Sequence, residues 1–74
     1  MTKFVAVRSP LTATVATWLV EDGARVAFDD QVVELEAMKM FTPVSAPASG
    51  ILRYRATLGE VVGEGDLLAV IEKD

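Results

Sequence analysis

The feature that most constrains this chain is an internal repeat. Gly23-Ala24-Arg25-Val26 matches Gly59-Glu60-Val61-Val62, Asp30 matches Asp66, Val32 matches Leu68, Leu35 matches Ile71 and Glu36 matches Glu72, each pair 36 positions apart. Ser9-Pro10 matches Ala46-Pro47 at 37, so one residue is gained or lost between the proline and the glycine of a half. Seventy-four residues is near the lower size at which a single core holds unaided. Two halves of this size can each supply only a few short elements and must share one core.

Those elements read as strands. Pro10, Gly23, Pro43, Pro47, Gly50, Gly59, Gly63 and Gly65 punctuate the chain, and the segments between them are rich in valine, leucine, isoleucine and threonine: 4–8, 14–20, 31–37, 51–56 and 67–72. No window free of a nearby breaker shows apolar residues at helical spacing, so the expected class is all-β. Two half-domains of four strands each are expected to face one another as a pair of sheets. The glycines are expected at turns that need positive φ. In 14–20 the alternation breaks down, and the direction of Trp18 stays open.

Composition narrows the function. With no histidine and no cysteine, the usual zinc sites and the Ser-His and Cys-His nucleophile pairs cannot be built, which argues against both a metal centre and a self-contained enzyme. A net charge of −4 has the wrong sign for phosphate backbones, so no nucleic-acid partner is expected. The apolar runs are too short for a membrane span, and Met1-Thr2-Lys3-Phe4 does not resemble a secretion signal. A cytoplasmic location is expected, or a mitochondrial matrix or plastid one if a transit segment has been removed.

One stretch is not explained by folding alone. In Glu36-Ala37-Met38-Lys39-Met40 a single lysine stands between two methionines directly after a strand-like run. Shifting Lys39 by the repeat leads to position 3 in one direction and just past Asp74 in the other. The lysine should therefore stand at a hairpin tip, at the opposite pole from the chain ends. There Met38 and Met40 serve better as soft apolar contacts for a partner than as core fillers. Glu36 has a structural reading beside the recognition one, because Glu72 occupies the same place in the repeat with no lysine after it.

This motif, followed by Val44, Ala46-Pro47 and Ser49-Gly50, resembles the biotinyl domain, the biotin carboxyl carrier module of biotin-dependent carboxylases. Pro10-Leu11-Thr12-Ala13-Thr14-Val15 is similar to that family's opening segment, and Gly23 to Val26 and Gly59 to Leu68 to its two turn-and-strand units, so the resemblance covers nearly all of residues 1–74 as one domain. It implies a flattened barrel-sandwich of two four-stranded antiparallel sheets with a pseudo-two-fold axis. It also implies a non-catalytic carrier in which Lys39 takes covalent biotin from a biotin protein ligase that reads Glu36, Ala37, Met38 and Met40. The partners implied after that are a biotin carboxylase and a carboxyltransferase. Two positions depart from the pattern: Ala13 stands where that family usually has glycine, and Asp29 stands where Gly65 stands in the second half. No inserted thumb interrupts the first half and no Ala/Pro-rich linker precedes Phe4, which brings the resemblance closer to the biotinyl domains of propionyl-CoA, methylcrotonyl-CoA, pyruvate or oxaloacetate-type carboxylases, or to a small free-standing carrier. Two rival readings share the fold. A lipoyl carrier domain of a 2-oxo-acid dehydrogenase complex usually has Asp before the lysine and Ala after it, and an adaptor barrel usually has its tip interrupted by a helical hairpin.

Overall fold

The computed structural model describes residues 2–73, and all its regular structure is β: β1 (Lys3–Arg8), β2 (Ala13–Trp18), β3 (Arg25–Val26), β4 (Gln31–Ala37), β5 (Met40–Ser45), β6 (Gly50–Tyr54), β7 (Val61–Val62) and β8 (Leu67–Lys73). They form two four-stranded sheets, β1-β8-β6-β3 and β5-β4-β2-β7, with every pairing antiparallel. The body is elongated, 40 × 18 × 17 Å.

The repeat is a pseudo-two-fold axis. Replacing β1 to β4 by β5 to β8 turns the strand order of one sheet into that of the other. The halves do not, however, build one sheet each, as the repeat alone suggests. Each half sends its first and third strands to one sheet and its second and fourth to the other. The reason lies in the connections: nearly all of them cross from sheet to sheet, and β4–β5 is the one consecutive pair that stays together as a hairpin. Neither half can close a core alone, so the interleaving makes folding of the two halves interdependent.

The core lies between the sheets and follows the repeat. Val32 and Leu68, Leu35 and Ile71, and Val26 and Val62 are equivalent pairs, all 0–2% exposed. Burying each such side chain is worth about 1.5–3 kcal/mol before entropy is counted.

The length difference between the halves is one residue in β2. Paired with β4, β2 steps from Val15↔Leu35 to Thr17↔Glu34, whereas the equivalent β6–β8 ladder runs without interruption from Leu52↔Ile71 to Arg53↔Val70. Ala16 is the extra residue, held in a β-bulge. The bulge accounts for the broken alternation and settles the direction of Trp18. Thr17 points outward, and Trp18 turns inward to stack on Tyr54, its own repeat mate, with ring centroids 3.9 Å apart and planes 16° from parallel. Tyr54 Oη donates to the Val20 carbonyl, and the Trp18 indole N–H is buried without a partner among the described residues. The strand is also shorter than expected, since Leu19 and Val20 lie beyond it.

Asp29 does what its repeat mate does: φ is 75° at Asp29 and 87° at Gly65. Ala13 is the mate of Gly50, and the two sites differ in space. A Cβ on Gly50 would run into the Glu72 carbonyl oxygen and come within 2.8 Å of Ile71 Cγ2, whereas Ala13 has a methyl group and is buried with it. Gly63, unlike Gly23, Gly50, Gly59 and Gly65, is not among the positive-φ residues. The expectation that every glycine serves such a turn is corrected there.

Candidate functional site

The β4–β5 hairpin carries the EAMKM stretch. Its ladder runs from Gln31↔Ser45 to Ala37↔Met40, leaving Met38 and Lys39 as a two-residue loop. Both central residues have positive φ, 52° at Met38 and 64° at Lys39, the signature of a type I′ turn. That turn matches the twist of the two strands but favours Asn-Gly, and an L-residue with a Cβ costs roughly 1–2 kcal/mol in the left-handed region. A side chain other than the best turn former therefore occupies both positions of the tip, and the rigid ladder below holds them there.

At the base of the hairpin, the Asp29 N–H donates to the Ala46 carbonyl and the Ala46 N–H to that of Asp30. These bonds tie it to the turn after Val26, which pairs with Gly50 beside Glu72. The first and last strands begin and end on that side, where Lys3 pairs with Lys73. Lys39 thus stands at the opposite pole from Lys3 and Lys73, as the repeat predicts.

The five predicted residues do not share one environment. Met38 is 94% exposed, Met40 71%, and Lys39 is exposed between them. Ala37 is half-buried at the end of the core, where it anchors the turn. Glu36 lies on the outer face of its sheet, opposite Phe41 on β5 and Thr14 on β2. Among the described residues, no hydrogen bond or ion pair engages the Lys39 ammonium, and the side chain is open to solvent. An accessible primary amine on a rigid tip, flanked by apolar side chains, is the donor that covalent attachment of a carboxylic-acid cofactor requires.

Two exposed apolar residues complete this face and were not singled out by the sequence. Phe41 (57% exposed) and Val61 (69% exposed) stand at the ends of the cross-strand row Phe41–Glu36–Thr14–Val61 below the tip. A phenylalanine or valine in a short strand gives no sign of which face it occupies. The register alone shows it. A cleft of about 470 Å³ lies elsewhere, lined by Trp18, Tyr54, Arg55, Ala56, Thr57 and Leu58, none of them in the hairpin. The available chemistry is on a protrusion.

Comparison with known proteins agrees with this geometry. The model of the family described as "Biotin-requiring enzyme" matches residues 5–71. The chain is 39% identical over 66 residues to the biotinylated protein TB7.3 homolog of Mycobacterium leprae, covering 88% of this chain and 93% of that protein. It is 40% identical over 57 residues to acetyl-CoA carboxylase 2 of Oryza sativa, covering 77% of this chain and 2% of that enzyme. Among solved structures, a single-chain, multi-domain long-chain acyl-CoA carboxylase superposes with a TM-score of 0.85 at 36% identity, over 96% of this chain and 7% of that one. The urea carboxylase of Kluyveromyces lactis gives 0.85 at 31% identity, over 93% and 6%. The chain thus has nearly the length of one biotinylated relative and only a small fraction of the carboxylases that it matches. It belongs to the biotin-requiring enzyme family, as a non-catalytic biotinyl carrier domain.

Proposed function

We propose that Lys39 Nζ is the point of covalent biotin attachment, and that residues 1–74 act as one carrier domain serving the carboxylation and carboxyl-transfer sites of a biotin-dependent carboxylase. The observation that carries this reading is the placement of the amine: exposed, without a partner among the described residues, and held by a two-residue turn at the pole away from Lys3 and Lys73. Lys39 is the nucleophile that closes an amide on the activated carboxyl group of biotin: the N–C bond forms, the bond from the carboxyl carbon to its activating group breaks, and the nitrogen sheds a proton as that group leaves. A lysine side chain is protonated in neutral water, so the ammonium must give up one more proton before it attacks; the biotin protein ligase must accept both, while this domain's task is presentation. When bound, biotin supplies the ureido nitrogen that takes up carboxylate at a biotin carboxylase and releases it at a carboxyltransferase.

The domain's own residues set the reach and the recognition. The β4–β5 ladder keeps the lysine stem on a rigid body, and Met38 and Met40 offer apolar surface that a partner site folds around. Glu36 is read by the ligase directly, by its charge on the outer face of the sheet, and Ala37 indirectly, by packing inward and holding the turn in place. A chain with no cysteine fits a reducing compartment: the cytoplasm, a mitochondrial matrix or a plastid.

The test is incubation with a biotin protein ligase, ATP and biotin, followed by intact-mass measurement and peptide mapping. One biotinyl group on Lys39, and none on Lys3 or Lys73, is the expected result. A label distributed over several lysines would overturn the proposal.

A further inference from the structure

We propose that Met38 and Met40 form a reversible oxidation site, and that their sulfoxides suppress attachment at Lys39. The proposal rests on the reading of Lys39 as the attachment point. The chain holds three methionines and no cysteine; Met1 lies outside the described residues, so among those described all the sulfur sits on either side of one reactive amine. Both side chains are far more open to solvent than the core residues, 94% at Met38 and 71% at Met40. Exposure governs how fast a thioether is oxidised, and no thiol in the chain competes for the oxidant.

The chemistry balances with a hydroperoxide as oxidant. The peroxide O–O bond breaks and one oxygen forms an S–O bond; the sulfur loses two electrons and the peroxide leaves as water or an alcohol. Methionine sulfoxide reductases reverse the change, two thiols giving one disulfide and the oxygen leaving as water.

The consequence follows from where the sulfur lies. A leucine at either place would offer a partner the same apolar bulk, but a thioether becomes strongly polar on oxidation. A ligase pocket that closes over the tip must then desolvate an S=O group, which is costly without a hydrogen-bond donor to meet it. Met38 also occupies a central position of the turn, so a bulkier, chiral side chain there acts next to the reacting nitrogen. Met38, the more exposed, is expected to oxidise first, and each sulfoxide to weaken recognition.

The chain is treated with hydrogen peroxide, quenched, mapped by peptide mass, and its initial rate of labelling by a biotin protein ligase is compared with that of the untreated chain. Sulfoxide on both tip methionines and a fall of roughly tenfold in rate are expected, equivalent to about 1.4 kcal/mol. Methionine sulfoxide reductases with dithiothreitol should restore the rate. The double variant Met38→Leu with Met40→Leu sets its own reference rate, which peroxide should leave unchanged. Mapped sulfoxides with undiminished labelling would overturn the switch and leave the attachment reading intact, as would tip methionines that resist peroxide. An untreated chain that takes no label on Lys39 would overturn both.

Discussion

The two poles of the molecule are built on the same ladder and differ in what the ladder carries. Below the lysine tip runs the row Phe41–Glu36–Thr14–Val61; at the pole of the chain ends runs its symmetry mate, Phe4–Glu72–Ile51–Arg25. Both rows have an exposed phenylalanine on the edge strand and a glutamate beside it. At the chain-end pole Arg53 lies 3.8 Å from Glu72. At the tip pole Thr17 stands where Arg53 stands, and Glu36 has no basic partner among the described residues. The scaffold therefore accepts a glutamate with or without a counter-charge, and with valine or arginine at the far end of the row. What is specific to the tip pole is a closed two-residue turn and, among the described residues, an amine and a carboxylate without an ion-pair partner.

The largest effect expected is on the symmetry itself. Gly50→Ala places a Cβ against the Glu72 backbone, whereas its mate Ala13 already has one. We expect Gly50→Ala to lower stability in urea by about 3 kcal/mol and Ala13→Gly by about 1 kcal/mol or less. Equal losses would contradict the assignment of the two residues as mates in different space.

The turn pair comes next. Gly65 has no atom within 4 Å of its would-be Cβ, so Gly65→Val meets strain alone and should cost about 1–2 kcal/mol. Asp29→Gly at the matching turn should be neutral or gain up to about 1 kcal/mol, although it gives up side-chain restriction of the unfolded chain. Chemical denaturation of both variants reads the difference.

At the axis, where the halves meet, Tyr54 should report alkaline pH. Burial, then the nearby Asp22 and Glu21 carboxylates, raise its pKa above 10.0. With the folded value above the unfolded one, the contribution to stability is full below pH 10.0 and is lost as pH rises through the folded value. Thermal melts should show Tyr54→Phe less stable than the native chain at neutral pH, for want of the bond to the Val20 carbonyl, and less sensitive to pH in the alkaline range.

The smallest effect on stability separates the two glutamates. Glu72→Gln should cost at most about 0.5 kcal/mol, because the pair with Arg53 is long and solvated, and Glu36→Gln should cost nothing measurable. Ligase kinetics should rank them the other way: Glu36→Gln slows labelling, Glu72→Gln does not.

How much of this could be read from the residues differs from part to part. The repeat was legible because turn formers and buried aliphatics such as Leu35 and Ile71 recur at one offset. The exchange of strands between sheets was not, since an offset carries no information about which strands pair. The change of offset from 37 to 36 announced an extra residue, but only the register could place it at Ala16 and so turn Trp18 onto Tyr54. The place of Lys39 at a hairpin tip was legible from the repeat. Phe41 and Val61 were not, since half of such residues in a two-faced sheet point inward.

The central claim is that the tip fixes one nitrogen in one place. The most direct measurement is the labelling rate of the double variant Met38→Lys with Lys39→Met, which keeps composition and charge but moves the amine to the other central position of the turn. With folding verified by its urea midpoint, labelling slower by about a hundredfold is expected, the scale of a misplaced reacting group. Labelling at the native rate would contradict the claim and show that the ligase reads an accessible lysine without regard to the turn that holds it.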